Sequence, residues 1–340
     1  MTRMIKKVQC DDKPLMSIIT GLYLYPIAIL AHHFGVFEHI AKGNKGLSDV
    51  CAFLSIKSRA AKAMMEVIRA LDLVKIENNV YKLTMLAEEF LLKKSPNYCG
   101  DAWDLIYTTS DNFSLIHLEK VMRETDTPVN QETTLFEESL YNAEKAEAFT
   151  HAMHGLSIGA ASVWPDKLNL ADYHCMLDIG GGSGAHSIGA VTRWPHLRGI
   201  IHDIAEVSRV AAKVIKSYGL EKNISIHIGD MWSEPFPDAD IHFYSNVFHD
   251  WPEQKVIFLI QKSYDALPHG GRMIIHEMLF NDDAPGPLTV AGFNVTMLSW
   301  SQGKKYSRSE INKLLEMAGF CDIEILPVFS DFSIMTGVKP

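Results

Sequence analysis

Two parts of the chain differ in the spacing of their hydrophobic residues. From residue 17 to about residue 149, apolar positions recur mainly at helical spacing, as in residues 59–71. A hairpin is predicted where two short apolar runs, 73–76 and 80–83, flank a polar turn. From residue 173 onward, strand-like and helix-like runs alternate. This pattern predicts a mostly helical N-terminal part followed by an α/β part.

The alternation in the second part predicts a doubly wound sheet. Its strands are expected at residues 174–180, 198–204, 224–229, 241–247, 272–278, 323–328 and 332–338, and its helices at 185–194, 206–218, 253–267 and 310–318. The last helix has Ser307 as N-cap, Glu310 as capping-box partner and Gly319 just past its end. Such a sheet is mostly parallel and binds ligands at the carboxyl ends of its strands.

The first part has the helix–helix–hairpin order of a winged helix. We expect a winged-helix-like domain at residues 1–110, which serves in dimerisation, a helical linker that covers the substrate at 111–165, and an α/β domain at 166–340. A winged helix commonly binds DNA. The formal net charge of −9 and the lack of a basic recognition face argue against a nucleic-acid partner here.

Composition is that of an ordinary globular protein, with 47% hydrophobic and 21% charged residues. The five cysteines are scattered and form no CxxC pair, which favours reduced thiols in a reducing compartment. Residues 18–37 are apolar but are interrupted by Pro26 and Gly35, so we interpret them as a buried helix. We therefore expect a soluble, cytoplasmic protein that does not bind membranes.

A glycine-rich loop follows the first strand of the α/β part. Gly180, Gly182 and Gly184 allow positive φ and a close approach of a ligand to the backbone. A loop of this kind is a weak signal when it stands alone. Asp203, followed by Ile204, ends the second strand, where a carboxylate can accept hydrogen bonds from both hydroxyls of a ribose.

The third strand ends in a similar way. Asp230 can accept a hydrogen bond from an adenine amino group, while the Met231 thioether packs on the ring. The loop lacks the lysine of a P-loop, and its spacing differs from GxGxxG. Asp178, at the entry of the loop, repels phosphate but suits an ammonium and a sulfonium. These features favour S-adenosylmethionine over NAD as the cofactor.

The sequence resembles the small-molecule O-methyltransferase family of plant caffeate and flavonoid type, which includes acetylserotonin methyltransferase. The resemblance extends along nearly the whole chain. Its motifs are the loop at residues 177–184, the adenine-binding motif at 229–232 and the catalytic motif at 248–251; further matches lie at 81–84 and 149–153. The resemblance implies a class I methyltransferase and a homodimer whose N-terminal domain contributes to the partner's active site.

The resemblance also implies roles for individual residues. His249 is expected to be the general base, because a neutral imidazole can take the proton of a phenol. Glu277, at the end of the fifth strand, is expected to orient His249, and Asp250 supports the site or caps the next helix. Ser157 is expected near the carboxylate of the cofactor. Around the acceptor we expect Phe149, Met153, Asn294 and Met297, to which residue chemistry adds Trp300 as a wall of an aromatic pocket.

Two positions depart from the family pattern. Ser245 stands where plant members carry a lysine at the cofactor, and Lys305 stands where they carry a second glutamate. A lysine beside the base would lower its pKa and could pair with an acidic acceptor, or it could point away. No metal is expected, since His151 and His154 lack a third ligand at suitable spacing.

We therefore expect an O-methyltransferase that acts on an aromatic, phenolic small molecule of secondary metabolism. One alternative keeps the cofactor but has the enzyme methylate nitrogen or carbon, or use the sulfonium only as a positive charge in a rearrangement. Another alternative, from a different class, is a winged-helix regulator that binds a nucleoside-like ligand.

Overall fold

The computed structural model describes residues 7–124 and 142–340. It separates into two compact units, Met1–Tyr107 and Thr108–Pro340. The division falls close to residue 110, where the N-terminal domain was expected to end. The described parts of the segment expected as a linker, 111–124 and 142–165, belong to the second unit, and residues 125–141 of that segment lie outside the described residues.

The first unit is mostly helical. Its elements are α1 (Lys13–His33), α2 (Val36–Ala41), α3 (Leu47–Leu54), α4 (Ser58–Ala70), β1 (Val74–Glu77), β2 (Val80–Leu83), α5 (Met85–Phe90) and the start of α6 (Gly100–Thr109). The two strands form the predicted antiparallel hairpin, with Val74 opposite Leu83. A core that includes Phe37, Met65 and Ile68 lies between the helices and the hairpin.

The prediction of a buried helix at residues 18–37 was wrong. α1 buries only Ala28 and Ala31, while Ile18 is 73% and Leu22 is 59% exposed. Its apolar residues surround the helix, so packing against α4 on one side leaves the others uncovered. Among the described residues, α1 is the one helix long and apolar enough to cross a membrane, judged by length and composition alone.

The second unit contains a sheet and its covering helices. Its helices are α7 (Leu115–Glu124), α8 (Ala143–Ala161), α9 (Ala185–Arg193), α10 (Ala205–Ser217), α11 (Glu253–Ala266), α12 (Leu288–Trp300) and α13 (Arg308–Ala318). Its strands are β3 (Cys175–Ile179), β4 (Arg198–Asp203), β5 (Ile224–Ile228), β6 (Ile241–Ser245), β7 (Arg272–Met278), β8 (Cys321–Pro327) and β9 (Phe332–Val338). The predicted strands and helices are present, with ends that differ by a few residues.

The α/β prediction is confirmed by a seven-stranded sheet of order β5-β4-β3-β6-β7-β9-β8. The first five strands in this order are parallel, whereas β9 runs antiparallel to both β7 and β8. The order reverses between β3 and β6, so a crevice opens at the carboxyl ends of these two strands. The glycine loop follows β3, and the segment that holds His249 follows β6.

Local signals fix the start and end of α13. The Ser307 hydroxyl accepts a hydrogen bond from the Glu310 amide at 3.2 Å, and the Glu310 carboxylate accepts one from the Ser307 amide at 2.7 Å. Gly319 ends the helix in the left-handed conformation with a φ of 100°. This is the predicted capping box, and it holds the segment that precedes α13 in place.

Candidate active site

The glycine loop, residues 180–184, turns sharply between β3 and α9. Gly180, Gly182 and Gly184 have φ angles of 64°, 58° and 80°, which L side chains rarely adopt. A Cβ on Gly184 would lie 2.3 Å from Ile201 Cδ1, and one on Gly180 would lie 2.9 Å from Val247. Gly180 thus packs against the segment that leads to His249.

Gly182 differs from Gly180 and Gly184 in the space around an added Cβ. A Cβ there meets none of the described atoms within 4 Å, so the loop faces open space at this point. The Gly182 amide donates a hydrogen bond to Asp203 Oδ2 at 2.8 Å. This contact joins the loop to the end of β4, and a ligand can approach the backbone beside it.

Two carboxyls lie beside the loop: Asp178 is buried and Asp203 is half-buried. Burial raises the pKa of Asp203 to about 6, although the amides of Gly182 and Ile204 donate to it. Burial also raises the pKa of Asp178 to about 7, against the effect of a 2.8 Å hydrogen bond from Ser187. Asp178 Oδ1 has no hydrogen-bond partner among the described residues, so it is available to a donor or a cation.

Asp230 follows β5 at the same edge of the sheet. Its carboxylate accepts from the Trp232 amide at 3.0 Å and from the Ser233 hydroxyl at 2.7 Å. These bonds and the charge of Lys262 lower the pKa of Asp230, although partial burial acts in the opposite direction. The carboxylate is therefore ionised at neutral pH, and the half-buried Met231 comes directly after it.

Ser157 lies half-buried on α8, which packs against α9 and α10. One turn earlier on the same helix, His154 Nδ1 lies 2.8 Å from the hydroxyl of Ser183 in the glycine loop. Burial lowers the pKa of His154 to about 4, so this imidazole is neutral. The contact ties α8 to the loop, and the sequence analysis did not predict it.

Ser245 ends β6 between two buried imidazoles. Its Oγ lies 2.9 Å from His186 Nε2 and 2.9 Å from His276 Nδ1. A hydroxyl can donate one hydrogen bond and accept another, so it can bridge these two neutral rings when both are protonated on Nε2 or both on Nδ1. Burial lowers the pKa of His276 to about 4, and that of His186 well below its usual value. The sequence pattern did not predict the contacts of Ser245 with these two histidines.

His249 and Glu277 form a buried pair. A short 3-10 turn, Phe248–Asp250, places His249 after β6, while Glu277 lies near the end of β7. His249 Nδ1 is 2.9 and 2.8 Å from the two carboxylate oxygens of Glu277. Although burial opposes it, the charges of His249 and Lys305 lower the pKa of Glu277 to about 2. The carboxylate is therefore ionised and can hold a proton on Nδ1.

Lys305 belongs to the same cluster. Its Nζ lies 2.8 Å from His249 Nδ1 and 3.3 Å from Glu277 Oε2, and its side chain is only 3% exposed. On the other side of the ring, Asp250 Oδ1 is 3.6 Å from Nε2, and burial raises the pKa of Asp250. The N-cap of α11 is Pro252, so Asp250 does not occupy that position. Of the two orientations considered for Lys305, the structure shows the one toward His249.

The residues predicted around the acceptor lie on two helices. Phe149 and Met153 share one face of α8 at i, i+4 spacing, and the Phe149 ring centroid is 6.0 Å from that of Trp300 on α12. Met297 is buried one turn before Trp300. Asn294 accepts a hydrogen bond from the Lys305 amide at 2.8 Å, so its carbonyl oxygen holds the loop that carries this lysine.

The residues present fit a cofactor with an adenosyl group and a cationic amino acid. Asp203 and Asp230 provide ionisable carboxyls for hydroxyl and amino donors, and the free oxygen of Asp178 suits a positive charge. Gly182 leaves room for a ligand beside the backbone. Across residues 7–124 and 142–340, no group of three or more histidine, cysteine or acidic residues could hold a metal ion.

Comparison with known proteins agrees with this geometry. Human N-acetylserotonin methyltransferase, solved in complex with S-adenosylmethionine, superposes with a TM-score of 0.85 at 23% identity over 98% of this chain and 99% of that one. The fold is therefore that of a class I methyltransferase.

The relatives in sequence are methyltransferases too. The 3-hydroxy-5-methyl-1-naphthoate 3-O-methyltransferase of Streptomyces sahachiroi is 27% identical over 96% of this chain and 94% of its own. The acetylserotonin O-methyltransferase of Bos taurus is 28% identical over 91% and 92%. The O-methyltransferase domain model matches residues 119–321, and the chain belongs to this family. It is an S-adenosylmethionine-dependent methyltransferase, as the sequence analysis predicted.

Proposed function

We propose that the enzyme transfers a methyl group to a hydroxyl of an aromatic, phenolic small molecule of secondary metabolism, with His249 as the general base. The observation that carries this proposal is the buried His249–Glu277 pair at the carboxyl end of the sheet, close in the chain to Val247, which packs on the glycine loop. The names of the relatives support an aromatic acceptor.

The base acts through its two ring nitrogens. When Nδ1 donates to Glu277, the lone pair of Nε2 is free to accept the hydroxyl proton of the acceptor. A phenol with a pKa of about 10 is only about one part in a thousand ionised at pH 7, so removing its proton in the site speeds the reaction. A general base of this kind contributes about 10²–10⁴-fold.

Binding of the cofactor is assigned to residues at the edge of the sheet. S-adenosylmethionine supplies an electrophilic methyl group on a positively charged sulfur when it is bound. Gly180, Gly182 and Gly184 offer close backbone approach, and Asp203 with Ile204 would hold the ribose. Asp230 and Met231 would hold the adenine, while Asp178, Ser157 and Ser245 would contact the amino-acid end.

The acceptor is assigned to the space between α8 and α12. Phe149, Met153, Met297 and Trp300 offer aromatic and thioether surfaces, which suit a flat ring. Orientation of the hydroxyl toward His249 would bring oxygen, methyl carbon and sulfur into line, which lowers the entropic part of the barrier.

The first unit is proposed to be a winged-helix-like dimerisation domain. Its helices lead into a two-stranded hairpin, and the apolar face of α1 is exposed over a length that a second copy could cover. We propose a homodimer that acts on small-molecule substrates, and the net charge of −9 argues against a nucleic-acid partner. All five cysteines are free thiols, which supports a cytoplasmic location.

Two measurements test the proposed function. Purified enzyme with S-adenosylmethionine is screened against phenolic acceptors, including N-acetylserotonin and hydroxynaphthoates, and products are weighed by mass spectrometry. A gain of one methylene on oxygen supports O-methylation, whereas methylation of nitrogen or carbon, or a rearranged product, contradicts it. His249→Asn should keep the affinity for S-adenosylhomocysteine within twofold and reduce kcat at least a hundredfold; unchanged turnover would refute the base assignment.

A further inference from the structure

Three atoms at the heart of the site lie at the corners of a small triangle. His249 Nδ1, Glu277 Oε2 and Lys305 Nζ are separated by 2.8, 3.3 and 2.8 Å. An imidazole nitrogen has a single in-plane site, which either carries a proton or accepts one. Nδ1 can therefore form a full hydrogen bond to Glu277 or to Lys305, but not to both.

Either choice makes His249 a poorer base. If the Lys305 ammonium donates to Nδ1, the ring proton is on Nε2, which then has no lone pair for the acceptor. If Nδ1 donates to Glu277, proton uptake at Nε2 creates an imidazolium 2.8 Å from an ammonium. Two positive charges at this distance repel strongly in a buried site.

Lys305 is held in this position by its backbone. Its amide donates to Asn294 Oδ1 at 2.8 Å, and the next residue, Tyr306, accepts from the Phe280 amide at 2.9 Å. The Lys305 side chain is only 3% exposed, so water does little to screen the charge on Nζ. The ammonium therefore offsets the charge of Glu277 rather than that of a surface group.

The charged and titratable groups that face His249 among the described residues are few. They are Glu277 on β7, Lys305 after α12 and Asp250 on the same turn as His249. The positive charge of Lys305 offsets the negative charge of Glu277. Asp250 is the other acidic residue of this group, and its Oδ1 lies 3.6 Å from His249 Nε2.

We propose that Lys305 determines specificity: it weakens His249 as a base, so that the site favours aromatic acceptors with an acidic hydroxyl over simple phenols. This inference rests on O-methyl transfer as proposed above. Such an acceptor, for example a phenol conjugated to a carbonyl, transfers its proton to His249 Nε2 even when the ring is a weakened base, while Nδ1 donates to Glu277. Its oxygen then bonds to the methyl carbon as the carbon–sulfur bond breaks, which yields a methyl ether and S-adenosylhomocysteine.

The test compares Lys305→Met, which removes the positive charge, with Lys305→Arg, which keeps it. Lys304→Met is the matched control. Lys304 is the preceding residue, and its Nζ is exposed and pairs with Glu310 outside the site. Each acceptor found in the screen is assayed beside its derivative fluorinated next to the reacting hydroxyl, which is more acidic and similar in size. The ratio of kcat/KM for the two acceptors is measured across pH 5.5–9.

Wild-type enzyme should prefer the more acidic acceptor, and Lys305→Met should reduce this preference at least threefold. Lys305→Arg should retain the preference for the more acidic acceptor, and Lys304→Met should leave this preference unchanged. An equal preference in wild type and Lys305→Met would overturn the proposal. Lys305→Gln provides a second neutral variant if the methionine variant does not fold.

A second measurement needs no acceptor. With S-adenosylhomocysteine bound and histidine isotopically labelled, NMR follows protonation of the His249 ring, assigned by its loss in His249→Asn. Lys305→Met should raise the proton affinity of this ring at least tenfold; no change would refute the role of Lys305. If no acceptor is methylated although this increase is seen, the proposed function fails while the effect of Lys305 on the base stands.

Discussion

Asp203 accepts a hydrogen bond from the amide of Gly182, with an Oδ2–N distance of 2.8 Å. The bond joins the end of β4 to the turn after β3, so the carboxylate and the loop backbone that are proposed to bind one cofactor are positioned as a unit. Gly182 has a φ of 58°, which favours glycine, and open space where a Cβ would stand, so packing does not exclude a side chain here and the space is available to the proposed cofactor.

Gly182→Ala should therefore weaken cofactor binding more than it weakens the fold. Alanine in the left-handed conformation costs about 1–2 kcal/mol, while its methyl group occupies the space proposed for the cofactor. We expect at least a tenfold loss of affinity for S-adenosylhomocysteine by calorimetry. Gly270→Ala is the control, since Gly270 has a φ of 80° and an equally open Cβ position. Equal affinities in the two variants would contradict the assignment.

Asp178 and Asp203 should make the stability of the unliganded protein depend on pH. Their folded-state pKa values, about 7 and about 6, lie above the ordinary value of 3.8, so the folded protein retains protons that the unfolded chain releases. Their contribution to stability is therefore fully present below pH 4 and is lost as the pH rises toward 7. For Asp178 the loss between pH 5 and 7 is about 2–3 kcal/mol.

Asp178→Asn should flatten this dependence, measured by urea unfolding at several pH values. The ammonium of S-adenosylhomocysteine favours an ionised carboxylate beside it, so the thermal shift that this ligand causes should be larger at pH 8 than at pH 5.5. Ligand-induced shifts that do not change with pH, in wild type and variant alike, would argue against a cation beside Asp178.

Gly303 should be essential for the turn that carries His249. A Cβ at this position would lie 2.1 Å from the His249 carbonyl oxygen and 2.6 Å from the Trp251 amide nitrogen. Gly303→Ala must shift the turn, so we expect at least a tenfold loss of kcat and about 1–3 kcal/mol of lost stability. Turnover and thermal unfolding of the same preparation check both effects.

Gly292→Ala is the matched control for this substitution. Gly292 lies on α12, where an added Cβ meets none of the described atoms within 4 Å. Alanine in a helix is more favourable than glycine by about 0.5–1 kcal/mol. This variant should therefore be slightly more stable and fully active. Full activity in Gly303→Ala would show that the turn tolerates displacement.

The exposed face of α1 should mediate self-association. Ile18→Glu and Leu22→Glu place charges on this face, and light scattering after gel filtration should show dimers turned into monomers. Met317→Glu, at a position 67% exposed on α13, controls for added surface charge and should remain dimeric. Monomeric wild-type protein at micromolar concentration would contradict the proposed homodimer.

Local and periodic signals predicted most of the second unit. The Ser307–Glu310 capping box and Gly319 fixed both ends of α13, because all the groups involved are within a few residues of one another. The alternation of strands and helices predicted a mostly parallel, doubly wound sheet. The pairing of His249 with Glu277 was predicted from a family resemblance, which supplied a contact between the turn after β6 and strand β7.

Features that depend on distant packing could not be predicted. Lys305 reaches His249 from a loop after α12, and no local pattern distinguishes that position from one pointing to solvent. The bridge from Ser245 to His186 and His276 joins three elements. The exposure of α1 was not predicted. An apolar sequence indicates that a helix is to be buried, but it does not indicate whether residues of the same chain or of another molecule bury it.

The position of β9 has a consequence for how the enzyme matures. This strand lies between β7 and β8 and pairs Ser333 with Glu277, while Phe332 stacks on His276 at 4.6 Å. On the ribosome, β7 emerges well before the strand that must insert beside it. A nascent chain that already contains His249 and Glu277 therefore has an unfinished sheet edge beside this pair, and the sheet around the pair is complete only after β9 has been translated and has inserted.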